Sequence, residues 1–343
     1  MIRNHSLQYQ YLKYSINACS LFSSIFAIIV SLIIIDYVII NLLRKHKLKN
    51  SSKISLLLTC NTCLAIICSS STLILMILSS IGGDLEINIL KQIVNCGCHI
   101  RGYLHFVFIN SIYLSYCLQA GFRLFRIAFR EYKCLRTIYS FYIYICVQWL
   151  TSFLLISPIL IGHNGYSSLI IYLPEEYYCQ VPMTSIRGII FSILSVYFLP
   201  LCCIGMIYLW IIIYIRRTSR SLMQMIASIQ HRNKRDTIVI KRICLVMIIL
   251  LLLGIPSCLF VIGFLITGQL NWAAYRVGWM TISISFALIS LSSIYVTPQI
   301  YRPIRTRLDY SKTKPKSTNT STTELQSTTK HFISRQILST SIV

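Results

Sequence analysis

The sequence predicts an all-α membrane protein, a bundle of seven transmembrane helices with its N-terminus outside and its C-terminus cytoplasmic. Three observations carry that reading. Of 343 residues, 55% are hydrophobic and 12% charged, a balance far from that of a soluble domain of this size. Seven apolar stretches are long enough to cross a bilayer, which takes roughly 20 residues of helix because hydrocarbon offers no water to unpaired backbone groups. The 32 Lys and Arg residues, against 9 Asp and Glu, gather in alternate connections between those stretches.

The first stretch covers residues 16–43 and runs directly into Arg44-Lys45-His46-Lys47 without a small-residue cleavage site, so it reads as a retained span rather than a signal peptide. Residues 1–15 before it read as a short extracellular segment with one glycosylation sequon at Asn4. The second and third spans are residues 54–81 and 99–127, and the connection before the second carries Arg44, Lys45, Lys47, Lys49 and Lys53. Arg123, Arg126, Arg130, Lys133 and Arg136 lie between the third span and the fourth, residues 138–161. A connection of about twenty residues follows, with turn signals at Gly162 and Asn164-Gly165, then aromatic residues and the pair Glu175-Glu176 before Cys179.

Residues 185–215 and 237–266 form the fifth and sixth spans, separated by Arg216, Arg217, Arg220, Arg232, Lys234 and Arg235; Lys241 and Arg242 follow at the start of the sixth. The seventh is residues 272–301, within a bundle domain of residues 16–308. Residues 309–343 turn to Ser, Thr and Lys and read as a disordered cytoplasmic tail. The other side holds only Arg3, Lys13, Lys91, Arg101, Arg187 and Arg276, so the positive-inside rule places the connections after spans 1, 3, 5 and 7 in the cytoplasm.

This distribution accounts for the net charge of +23 as topology and argues against nucleic acid as a partner. Most of the 14 cysteines lie inside apolar spans, where the thiol behaves as a small apolar group, whereas Cys96, Cys98 and Cys179 fall on the outer, oxidising side. The seven histidines are scattered, no Gly-rich phosphate loop occurs, and Asp36 is the one clear acid at membrane depth. Neither an enzyme nor a metal or cofactor site is expected from that inventory. No internal repeat of the transporter kind is visible.

A set of spacings then narrows the class. Cys98 lies 25 residues before Arg123; Trp149 and Pro158 mark span 4; Pro200 is followed eight residues later by Tyr208. Span 6 carries Leu253-Gly254-Ile255-Pro256, and span 7 ends Thr297-Pro298-Gln299-Ile300-Tyr301. Together these resemble the rhodopsin-like (class A) G-protein-coupled receptor family, as a divergent member. The resemblance implies a disulfide from Cys98 to Cys179, with Cys96 as the competing partner. It implies that Arg123 pairs at rest with Asp236, twenty residues before Pro256, and is released on activation to pack beside Tyr208 and Tyr301. Pro200, Pro256 and Pro298 each remove a helical hydrogen bond and favour kinks that let the inner ends of spans 5, 6 and 7 swing.

The chain departs from the family at several points. The acid before Arg123 is missing, the buried acid of span 2 is replaced around Thr59-Cys60-Asn61-Thr62-Cys63, Leu253-Gly254 stands for Cys-Trp, and Thr297 stands for Asn. Arg130 and Glu131 replace the usual Pro and apolar residue of the coupling loop. The family's ammonium-binding Asp corresponds to His105, which disfavours an amine ligand.

The resemblance implies a pocket formed by Arg101, His105, Phe108 and Ile109 with Ser257, Val261, Phe264, Ser283 and Ala287 across the cavity. Arg101 and His105 favour an acidic or peptide C-terminal group, unless His105 only bonds a neighbouring helix and Arg101 sits at headgroup level. Glu175 and Glu176 point instead to a basic peptide at the rim. The expected function is a plasma-membrane receptor for a peptide or other non-amine ligand, acting on a heterotrimeric G protein. The Ser/Thr clusters at residues 317–323 and 327–329 suit phosphorylation and an arrestin-like partner, and Ser341-Ile342-Val343 fits a PDZ ligand through Ser341 and Val343. The competing readings are a seven-helix channel or transporter and a chemosensory receptor of an unrelated seven-helix family.

Overall fold

Residues 1–81 contain neither Pro nor Gly, and with no breaker the first two helices run long. The computed structural model describes residues 2–44, 50–85, 97–129, 132, 137–161, 169–221, 248–249, 251, 254–271 and 273–296. Helix α1 spans Ile2–Arg44 and α2 Asn50–Asp84. Helicity therefore starts at Ile2, ahead of the apolar run at residue 16, and the predicted short N-terminal segment is the continuation of α1. Helices α3 (Cys98–Ile127) and α4 (Ile138–Ile161) follow.

A two-stranded antiparallel hairpin, β1 (Ile171–Leu173) and β2 (Tyr178–Gln180), interrupts the helices, with Tyr172 opposite Cys179. Helix α5 opens at Ile186 behind a Ser185 cap whose Oγ accepts from the Gly188 amide at 3.4 Å, and runs to Ser221. Its turns over Ile193–Phe198 widen to a π-helix just before Pro200, where the proline lacks an amide to donate and the regular ladder is broken. Helix α6 occupies Gly254–Thr267 and contains Pro256; α7 occupies Ala274–Val296.

Among the described residues, five helices are long and apolar enough to cross a membrane: Gln10–Leu43 of α1, α2, Ile138–Leu160 of α4, Ile186–Arg217 of α5 and Ala274–Ile294 of α7. Helix α3 is long enough but too polar, and α6 is apolar but short within the described residues. The polarity of α3 has a packing reason. It is the central helix, in contact with α2, α4, α5 and the hairpin. Its His105, Asn110 and Ser111 are wholly buried among protein atoms rather than turned to lipid.

Apolar side chains of α1, α4 and α5, among them Phe22, Ile33, Ile143, Leu154 and Leu209, project outward, the surface a bilayer rather than water would solvate. Asp36 is also exposed, on the outside of α1. All described elements belong to one unit, Met1–Arg302; a second, Pro303–Val343, lies outside the described residues together with Ser341 and Val343.

Candidate functional site

The hairpin is seated on the end of the bundle by covalent, steric and ionic ties. Cys179 is bonded to Cys98 at the start of α3, with 5.4 Å between their Cα atoms; Cys96 lies outside the described residues. Gly102 permits the close approach of β2, since a Cβ there would meet the Cys179 carbonyl oxygen at 2.7 Å. At the hairpin turn Tyr177 adopts a left-handed φ of 61° and lays its ring on Gly83 near the end of α2, where a Cβ would clash with the ring carbons Cγ, Cδ1 and Cδ2. On the α7 side Trp279 Nε1 donates to Tyr178 Oη at 2.6 Å, and Tyr275 Oη accepts from the Met183 amide at 2.8 Å.

The ionic tie is a buried triad. Arg276 Nη1 and Nη2 donate to Asp84 Oδ2 and Oδ1 at 2.8 and 3.1 Å, and its Nε donates to Glu176 Oε2 at 3.0 Å. The Arg276 side chain is 1% exposed. One guanidinium thus joins the C-terminal end of α2, the hairpin and the first turn of α7. Glu176, expected at the rim for a basic peptide, is buried and occupied by Arg276; Glu175 remains exposed. Asp84 and Arg276 were not singled out by the sequence. The available signal was Arg276 itself, a charge inside an apolar run, which demands a partner.

Beneath the hairpin, His105 is wholly buried, packs edge-on against Trp279 at 4.8 Å between ring centroids and places Nδ1 3.1 Å from Thr72 Oγ1. Arg101 donates to Ser79 Oγ of α2 at 3.3 Å. Phe108 turns to Trp149 of α4, at 6.1 Å, away from Ile109. Ser283 is buried and bonds the Met280 carbonyl; Ser257 lies beside Gly278. Val261 and Phe264 are partly buried on α6, and Ala287 packs on the main core.

Ile109 borders a cavity of about 20 Å³ with Ile112, Tyr113, Tyr197, Ser285 and Phe286, space on the order of a single water. Ligand sites run to roughly 300–1,000 Å³.

Toward the other end, a polar chain crosses α2, α3 and α4. Trp149 Nε1 donates to Asn61 Oδ1 at 3.0 Å, Asn61 Nδ2 to Gln148 Oε1 at 2.7 Å, and Gln148 Nε2 to the Ser111 carbonyl at 3.1 Å. Arg123 Nη1 reaches Tyr208 Oη of α5 at 3.3 Å. Asp236, Pro298 and Tyr301 lie outside the described residues, as do Arg130, Glu131 and Thr297; Asn4 falls in the first turn of α1. Among the described residues no three His, Cys, Asp or Glu converge on a metal position.

No family model matches the sequence, and no curated protein is similar to it. The likeness is in the fold. The crystal structure of squid rhodopsin matches with a TM-score of 0.63 at 15% sequence identity, over 97% of this chain and 93% of that chain. The chain therefore has a rhodopsin-like fold.

Proposed function

We propose that the chain is a seven-span, N-out receptor of the plasma membrane that binds an extracellular peptide or other non-amine ligand and activates a heterotrimeric G protein. The observation that carries this reading is the rhodopsin-like fold over nearly the whole chain, with a disulfide-tied hairpin covering one end of the bundle. The two spans beyond the five apolar helices are α3, whose polar groups are buried in the bundle, and residues 237–266, which include α6. A channel or transporter needs membrane-depth charge lining a path, and Asp36 is exposed on the outside of α1 instead.

In the proposed cycle Arg123 exchanges partners between Asp236 at rest and Tyr208 with Tyr301 on activation. Its 3.3 Å contact with Tyr208 supports the second arrangement. An accessible ion pair contributes about 0–1 kcal/mol, enough to bias two states without locking them. Ligand binding at His105 and its neighbours requires the hairpin or Trp279 to yield, because these groups now pack on one another. The tail would serve an arrestin-like partner after phosphorylation and a PDZ domain through Ser341 and Val343.

The test is expression with a panel of chimeric G proteins. G-protein-dependent constitutive or extract-evoked signalling is expected, rising in Asp236→Asn at matched surface expression. A current without G-protein dependence overturns the receptor reading; unchanged basal signalling in Asp236→Asn overturns only the ion-pair step.

A further inference from the structure

The triad at the hairpin holds more negative charge than its hydrogen bonds balance. Arg276 gives two donors to Asp84 and one to Glu176, so one guanidinium serves two carboxylates. The exposures of the Arg276, Asp84 and Glu176 side chains are 1%, 13% and 7%. A buried carboxylate with only a share of a counter-charge takes up a proton more readily than one in water. Asp84 has the bidentate share and the more exposed position; Glu176 has the single bond and the deeper one.

We propose that Glu176 is a proton-binding site that latches the outer hairpin onto α2 and α7, closing it in acid and loosening it in alkali. The proposal is independent of any G protein. Among the described residues, the charged and titratable groups around Glu176 are Arg276 and Tyr275 from α7, Asp84 from α2, Lys13 from α1, and Glu175 and Tyr178 from the hairpin itself. Burial pushes the Glu176 carboxyl up to about 7, outweighing the downward pull of Arg276 and the weaker one of Lys13.

In an open hairpin the same carboxyl stands in water and titrates near the ordinary ~4.3. The closed state therefore binds the proton more tightly. Its stabilisation is complete below the ordinary carboxyl range and is lost as pH rises through about 7. Between about pH 5.5 and about pH 8, one such proton shifts the closed-to-open ratio on the order of ten- to thirty-fold.

Hydrogen exchange of the hairpin amides, measured on the full chain in detergent micelles, reads that ratio. Comparing wild type with Glu176→Gln at each pH cancels the chemistry of exchange itself, and Gln stands in for the protonated acid. Wild type should exchange faster than Glu176→Gln at both pH values, and the ratio of the two rates should grow on the order of ten- to thirty-fold from about pH 5.5 to about pH 8; a ratio that does not change with pH overturns the proposal. If the Gln chain fails to fold, wild type alone decides: hairpin protection relative to the free-peptide rates must fall as pH rises, and constant protection overturns the latch.

Discussion

Gly83 is where the hairpin meets α2 without room for a side chain. A methyl group there would clash with the Tyr177 ring near its root, and the backbone of Tyr177 is fixed in the left-handed region, so relief requires the whole turn to lift. Gly83→Ala should therefore lower the apparent melting temperature by several degrees, in line with about 1–3 kcal/mol for overpacking. Adding Tyr177→Ala should recover part of the loss, because the clash goes with the ring. Thermal unfolding of the two variants in one detergent checks this; equal losses would mean that Gly83 serves some other end. The same scale shows what single residues in a sequence do not reveal. Glu176 looks like a rim acid and His105 like a ligand group until their neighbours are known. Arg276 then occupies one, and Trp279 and Thr72 flank the other.

Between elements, Arg276 is the joint at which α2, the hairpin and α7 meet. Removing one member of a buried ionic group leaves the others uncompensated, at about 3–5 kcal/mol, whereas replacing the whole group by neutral residues is often nearly neutral. Arg276→Met should thus be strongly destabilising, and Asp84→Asn with Glu176→Gln in the same chain should restore most of the stability. Thermal unfolding of the single and triple variants measures the difference; a triple variant no better than the single would place the cost in lost packing. The apolar elements were largely legible in the sequence because lipid-facing helices such as α1 and α4 advertise themselves by composition. Cysteine position kept Cys98 and Cys179 in view, and the family resemblance paired them as the structure does. The triad was not legible because its members lie 192 and 100 residues apart, and only packing brings them together. Helix α3 stands outside the five most apolar helices for a related reason: its His105, Asn110 and Ser111 are polar toward protein, not toward lipid.

For the molecule as a whole, the proposed orientation makes one end of the bundle exoplasmic, and the disulfide and the charges agree on which. Disulfides persist in oxidising compartments, and Cys98–Cys179 sits at the end where α2 finishes and α3 begins. The Arg and Lys clusters lie beyond the opposite ends of α1, α3 and α5, where the positive-inside rule expects cytoplasm. Helix α1 has 43 residues, roughly 65 Å at the helical rise against about 30 Å of hydrocarbon, so its first turns stand clear of the membrane. Asn4 in those turns should therefore carry glycan. Endoglycosidase treatment should sharpen and speed the migration of wild type and leave Asn4→Gln unchanged. A sequon introduced within residues 130–136 should stay unmodified because the proposed orientation puts that connection in the cytoplasm. Modification of the introduced site with none at Asn4 would invert the topology. It would also put the hairpin and its acid-closed latch on the reducing side, where neither the disulfide nor an extracellular ligand has a place.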